Sequence, residues 1–154
     1  MKKTVYLIPC FLFLLLAACE QESFYEVNKP IKNRSWSYAN KPTFDIHITD
    51  NTAKYDLYVH PRHTSEYKYA NLFFLLHQKG PQLQDTAFRY EVKLAELDGR
   101  WIGKNAGNLY SNEFLIKKDI SFPDTGVYHF SLEQNMREEP LKYISDIGIK
   151  LVKK

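Results

Sequence analysis

From its N-terminus the chain changes its pattern of apolar and polar positions twice. Residues 5–18 are almost wholly apolar, and residues 20–40 are polar and irregular. From residue 44 onward, apolar and polar residues alternate in short runs. A period of two is what a strand with one buried face requires. Phe44, Ile46 and Ile48 share one face, with Asp45 and His47 on the other. Tyr55, Leu57 and Val59 repeat the pattern after a turn at 51–54. Residues 72–76 form an unbroken apolar run, which predicts a central strand covered on both faces. The stretch 78–85, with Gly80-Pro81, reads as a loop. Phe88, Tyr90, Val92 and Leu94 alternate again, and Asp98-Gly99 predicts a tight hairpin turn. Gly103 and Gly107 mark a loop with special backbone demands. Three sets complete the pattern: Phe114 and Ile116; Tyr128, Phe130 and Leu132; and Ile147, Ile149 and Leu151. No stretch sustains a 3.6-residue period, and the best helical candidate is a single turn at 134–140.

About eight short strands with turns between them predict an all-β fold, an antiparallel β-sandwich of Greek-key or jelly-roll-like type. "DTGVYHF" spaces Asp124, Gly126 and Tyr128 as D-x-G-x-Y. This resembles the tyrosine corner of immunoglobulin-like sandwiches, where the hydroxyl ties a strand entrance to upstream backbone. Phe130 stands where antibodies place a cysteine, so the motif supports the architecture rather than that family. Tyr38, Tyr58 and Tyr67 fall off the apolar phase of their strands and are expected outside the core, on a half-covered face or at an interface.

The apolar segment at the start is too short to cross a bilayer, which takes about 20 residues. Lys2 and Lys3 precede it and small residues end it, as in a cleaved signal peptide. Leu16-Ala17-Ala18-Cys19 gives that end the form of a bacterial lipoprotein "lipobox". The resemblance implies that Cys19 becomes the N-terminus and carries lipid. Each buried CH₂ contributes about 0.8 kcal/mol, so several acyl chains on one residue anchor firmly. The domain organisation expected is a lipoprotein signal at 1–18, a lipidated N-terminus and tether at 19–40, and a β-sandwich domain at 41–154. One short strand is expected in the tether, near residues 35–38.

Composition then narrows the picture. Cys10 falls in the leader and Cys19 is lipidated, so no thiol remains for a disulfide and the fold must stand on its core. Residues 19–154 suffice for one domain burying about two-thirds of its unfolded surface. The formal net charge is +3, of which the leader's Lys2 and Lys3 supply two. Nothing in that balance calls for nucleic acid.

Candidate chemistry is sparse. His60 and His63 are close, but Pro61 keeps them off a helix and no third or fourth ligand follows, so no metal site is expected. There is no G-x-S-x-G, P-loop or dinucleotide-binding fingerprint. No catalytic residue and no cofactor are expected, and the chain reads as a non-enzyme. Asn33-Arg34-Ser35 fits an N-glycan acceptor, read as coincidence in a bacterial lipoprotein.

Longer motifs carry a specific resemblance. They are Arg62-x-Thr64 with Tyr67-x-Tyr69-x-Asn71-Leu72, Gly99-x-Trp101-x-Gly103, Glu133-Gln134-x-Met136-Arg137, and Asp146-x-Gly148. From about Phe44 to the C-terminus the chain resembles the gliding-motility lipoprotein family GldH. One departure is Tyr143, where the family pattern has glycine. The resemblance implies a membrane-tethered, non-enzymatic envelope component beside the gliding and type IX secretion machinery. Its expected place is the outer membrane, facing the periplasm. Its partners would be the membrane, through a palmitate-type anchor on Cys19, and other envelope motility or secretion proteins. Residues expected in packing or partner contact are Arg62, Tyr69, Asn71, Trp101 and Arg137. Asp85-Thr86-Ala87 also looks like an O-glycan acceptor of that phylum, at Thr86. The alternative function is a lipid-anchored glycan-binding module using exposed Tyr and Trp.

Overall fold

The computed structural model describes residues 23–154, so the expected leader and Cys19 lie outside the described residues. Twelve strands follow in order: β1 (Ser23–Pro30), β2 (Ser35–Trp36), β3 (Thr43–Ile48), β4 (Tyr55–Thr64), β5 (Asn71–Lys79), β6 (Thr86–Lys93), β7 (Lys104–Ala106), β8 (Leu109–Ser111), β9 (Phe114–Ile120), β10 (Gly126–Gln134), β11 (Leu141–Lys142) and β12 (Ile144–Lys153). About eight were expected. The additional ones are mostly pairs of two or three residues, too short for a period to show.

Two antiparallel sheets make a sandwich. The larger runs β1-β12-β4 and then divides, because β8 and β9 share the second edge of β4. β9 pairs with Tyr55 to Val59, while β8, with β7 beyond it, pairs with Arg62 to Thr64. The smaller sheet runs β3-β10-β5-β6, and β2 with β11 forms a two-stranded clip. Leu57, Val59, Ile147 and Ile149 from one sheet meet Phe44, Ile46, Phe74, Phe130 and Leu132 from the other in one core. This is the alternation expected from the sequence, and burial of these side chains is the main force holding the sheets together.

The tyrosine corner forms as its spacing predicts. The Tyr128 hydroxyl donates to the Asp124 carbonyl at 3.1 Å and accepts from the Asp124 N–H at 3.3 Å. Asp98-Gly99 also turns as expected, with Ala95 bridged to Trp101 and Gly99 at φ +85°.

Several expectations need correction. Residues 23–40 are not a tether. β1 runs along β12 as an edge strand, with Val27 opposite Ile149, while the short strand expected near 35–38 does form, as β2, and pairs with β11. Its polar side chains occupy the outer face, which hides the alternation. No helical turn forms at 134–140. The Gln134 side chain, fully buried, shapes that loop by accepting from the Met136 N–H (2.8 Å) and donating to the Glu138 carbonyl (3.1 Å). The apolar run in β5 is buried on one face only, through Leu72, Phe74 and Leu76. On the other face the Arg89 guanidinium lies 4.0 Å from the centre of the Phe73 ring. Tyr67 is buried, because the chain after β4 folds back over the core. Residues 51–54 do turn the chain, and the turn carries it from one sheet to the other, since β3 and β4 lie in different sheets.

Tyr143, the departure from the family pattern, has φ +71°. Its N–H donates to the Arg34 carbonyl at 2.7 Å and its carbonyl accepts from the Thr64 N–H at 3.0 Å. Two backbone bonds thus hold a bulky residue where glycine would sit without strain.

Candidate functional site

The larger sheet turns one face to the core. On its other face β1, β4 and β12 present Glu26 and Asn28, His60 and Arg62, and Asp146 and Gly148. Register makes these neighbours: Gly148 lies opposite Asn28 on one side and His60 on the other, and Asp146 lies opposite Arg62. The gap where β8 ends and β9 begins brings Asn112 and Glu113 alongside. The result is a half-open cavity of about 400 Å³, at the small end of ligand sites.

Two glycines let neighbouring asparagines lie close. At Gly148 an added Cβ would meet the Asn28 amide oxygen at 1.9 Å and the Val27 carbonyl at 2.9 Å. Gly103, at φ +102°, would meet the Ser111 carbonyl at 2.4 Å and the Asn112 amide oxygen at 2.5 Å. Both Asn side chains therefore lie flat against bare backbone.

The polar groups of this cavity are unevenly satisfied. Arg62 places Nε and a terminal nitrogen each 2.7 Å from one carboxylate oxygen of the buried Asp146. His60 sits between two carboxylates, with Nε2 3.0 Å from Glu113 and Nδ1 3.7 Å from Glu26. The Glu113 approach is close but misaligned for a hydrogen bond. Burial holds the imidazole below the usual histidine range, with Glu113 and Glu26 pulling the other way. A neutral ring has one N–H, so one carboxylate faces a bare nitrogen. Asn112 is 7% exposed, and its side-chain nitrogen and oxygen both lack partners. Buried amides are normally satisfied, and each group left open costs about 1–3 kcal/mol.

Across β4, on the core side, lies an aromatic cluster around His63. Its Nδ1 lies 2.9 Å from the Thr64 carbonyl, which assigns the hydrogen there, and Nε2 has no partner. Trp101 packs 4.6 Å away edge-on, and Tyr110 stacks at 5.6 Å. Burial pushes the His63 pKa down, and burial also raises that of the Tyr67 hydroxyl.

The residues picked out from sequence divide accordingly. Tyr69, Asn71 and Trp101 meet around Tyr67, whose hydroxyl donates to the Asn71 carbonyl at 3.0 Å. Tyr69 donates to Glu138 at 2.7 Å, and Asn71 to Glu91 at 2.7 Å. Arg62 belongs to the cavity instead. Arg137 is exposed on the 135–140 loop, with no ion pair among the described residues. Thr86 begins β6, its hydroxyl donating to the Gln78 carbonyl at 3.3 Å. Cys19 lies outside the described residues. Sequence reasoning missed Glu26, His60, Asn112 and Glu113. The outward phase of His60 follows from Tyr55, Leu57 and Val59, but Glu26 lay in a segment read as a tether, and nothing local joined the two in one cavity.

The family motifs converge on the same geometry. Arg62, Gly103 and Asp146, named above for their spacing, line the cavity, and Gly148 lies between Asn28 and His60, which line it too. Residues 23–151 match the family described as GldH lipoprotein. The chain is 26% identical to the gliding motility lipoprotein GldH homolog of Christiangramia forsetii, over 93% of this chain and 91% of that one. It is also 26% identical to the gliding motility lipoprotein GldH of Flavobacterium johnsoniae, over 92% and 91% respectively. No solved structure matches it. With nearly every described residue inside that match, the chain belongs to the GldH lipoprotein family.

Proposed function

We propose that this protein is a lipid-anchored, non-enzymatic component of the bacterial envelope that serves gliding motility and its associated type IX secretion machinery by contact. The observation that carries the reading is the family match across the whole sandwich, cavity included, with curated relatives named gliding motility lipoproteins. The fold adds a geometric reason. Cys19 is the lipidation site, and β1 begins at Ser23, only four residues on. Four residues span about 14 Å at full extension. The body therefore rides close to its membrane, and Glu26 and Asn28 keep the cavity near partners in the same bilayer. Confinement of that kind raises effective concentration enough for modest contacts to act.

The glycan-binding alternative needs an open aromatic platform. Trp36 is fully buried, its indole N–H donating to the Asn40 carbonyl at 2.7 Å, and Trp101 is packed against His63. These positions favour contact with protein over stacking on sugar rings.

Two measurements in native cells test the proposal. Cys19→Ser should abolish labelling by radioactive palmitate and release the protein from the membrane fraction. A photo-crosslinking residue at Lys104, on the cavity rim, should capture a motility or secretion component. Retained label, or envelopes that yield no such component, would refute it.

A further inference from the structure

We propose that the cavity on the outer face of the larger sheet receives a lysine or arginine side chain from an extended peptide, with the backbone N–H and C=O of one peptide residue paired to Asn112. The inference rests on reading this face as a contact surface and specifies what it contacts. Three observations carry it.

The first is Asn112. Its amide is more than nine-tenths buried, lines the cavity and has neither its donor nor its acceptor satisfied. A carboxamide offers one N–H and one C=O side by side. The N–H and C=O of one extended residue point to the same side and form the complementary pair, so one incoming residue can answer both at once.

The second is the shortage of donors around His60. Two carboxylates flank a ring that has one N–H to give when neutral. Glu113 has a second partner in Lys150 at 3.3 Å, but Glu26 has only His60 among the described residues. An ammonium or guanidinium group brings several donors and the missing positive charge. Charge-assisted bonds of this kind are about twice as strong as neutral ones.

The third is the fit. The Arg62 guanidinium is already engaged with Asp146, so it neither fills the cavity nor repels a second cation at full strength. Lys104 stands on the exposed β7, where solvent screens it. About 400 Å³ accommodates one long side chain and the peptide group beside it, not a folded element.

A titration of the ¹⁵N-labelled, lipidated protein in detergent micelles tests this. The probes are Nα-acetyl-lysine-N-methylamide, its Nε-acetylated counterpart, which keeps the amide but not the charge, and maltose. The lysine probe should shift the Asn112 side-chain amide resonances and the His60 ring signals along a saturable curve. The Nε-acetylated probe should bind at least tenfold more weakly. Glu26→Gln, at a half-exposed site whose loss leaves the core intact, should weaken the lysine probe about tenfold with an unchanged melting temperature. Three outcomes overturn the inference: no saturable shift, equal binding of the two lysine probes, or saturation by maltose alone. A protein that crosslinks to motility components yet ignores the lysine probe loses this inference only. One that binds the probe and captures no such component loses the functional reading instead.

Discussion

Gly148→Ala adds one methyl group between Asn28 and His60, beside the cavity, and should cost far more than a surface methyl. The backbone at Gly148 is ordinary strand, and in such a conformation alanine is favoured over glycine by about 0.5–1 kcal/mol. Sterics oppose that gain. The new Cβ would stand 1.9 Å from the Asn28 amide oxygen, 2.7 Å from its Cγ and 2.9 Å from the Val27 carbonyl oxygen. Comfortable contacts lie near 3.5–4.0 Å, roughly 1–2 Å further out. The Asn28 side chain, on an exposed residue, must swing away to make room. The Val27 carbonyl belongs to the strand that pairs with β12 and must give with the ladder. Overpacking of this kind costs about 1–3 kcal/mol, leaving a net loss of about 1–2 kcal/mol. For a domain of this size that lowers the melting temperature by roughly 4–8 °C. Thermal unfolding followed by circular dichroism would measure it, with Asn28→Ala and the double variant completing a cycle. Asn28→Ala should recover more than half the loss in the Gly148→Ala background, because it removes the two shortest contacts. A Gly148→Ala protein that melts at or above the wild-type temperature, or a double variant no better than the single, would refute the reasoning.

Other consequences are more quickly stated. Arg62→Ala leaves the Asp146 carboxylate buried without its partner; because Arg62 is itself half exposed, the loss should be about 1–3 kcal/mol rather than the full value for a buried pair. Arg100→Ala, which breaks a fully exposed pair with Asp98, should leave stability essentially unchanged, and denaturant titration of the two variants would expose any failure of that order. At Tyr143, glycine should be more stable than alanine by about 1 kcal/mol, reversing the usual order, since both remove the ring and only glycine accepts φ +71° without strain; equal melting temperatures for the two would count against strain there. The pH dependence follows from His60 and His63, both held by burial below the ordinary value of 6.5. The unfolded chain then binds protons that the folded one refuses, so their contribution is complete above pH 6.5 and is lost as pH falls through the folded-state values. Glu26 and Glu113 face His60 and temper its share, while Lys150 adds to the depression; among the described residues His63 faces aromatic rings and the Thr64 carbonyl. The melting temperature should therefore drop between about pH 7.5 and 5.5, and His63→Phe should flatten that drop; a curve that is flat or rises toward acid would contradict the assignment.

Much of the architecture is legible along the chain, because a strand's alternation is a local property. Phe44 to Ile48, Tyr55 to Val59 and Tyr128 to Leu132 declare their buried faces through spacing alone, and the D-x-G-x-Y corner needs only five residues. The same locality explains the failures. β1 looks like a tether because its polar residues occupy the outer face and its support comes from β12, more than a hundred residues away. Gln134 looks like part of a helical turn until its amide is seen bonded inside the loop. Tyr67 looks exposed because its burial depends on a chain reversal that its neighbours do not encode.

Alternation by itself thus determined that the chain makes strands, where most of them lie and which side chains seek the core. Pairing and register, settled only by the tertiary structure, decided what the outer faces hold in common. Glu26, His60, Asn112, Glu113 and Asp146 come from four separate segments, and no spacing rule joins them. They meet because antiparallel register places residues distant in sequence side by side on one face, and a one-residue slip would scatter them to opposite faces.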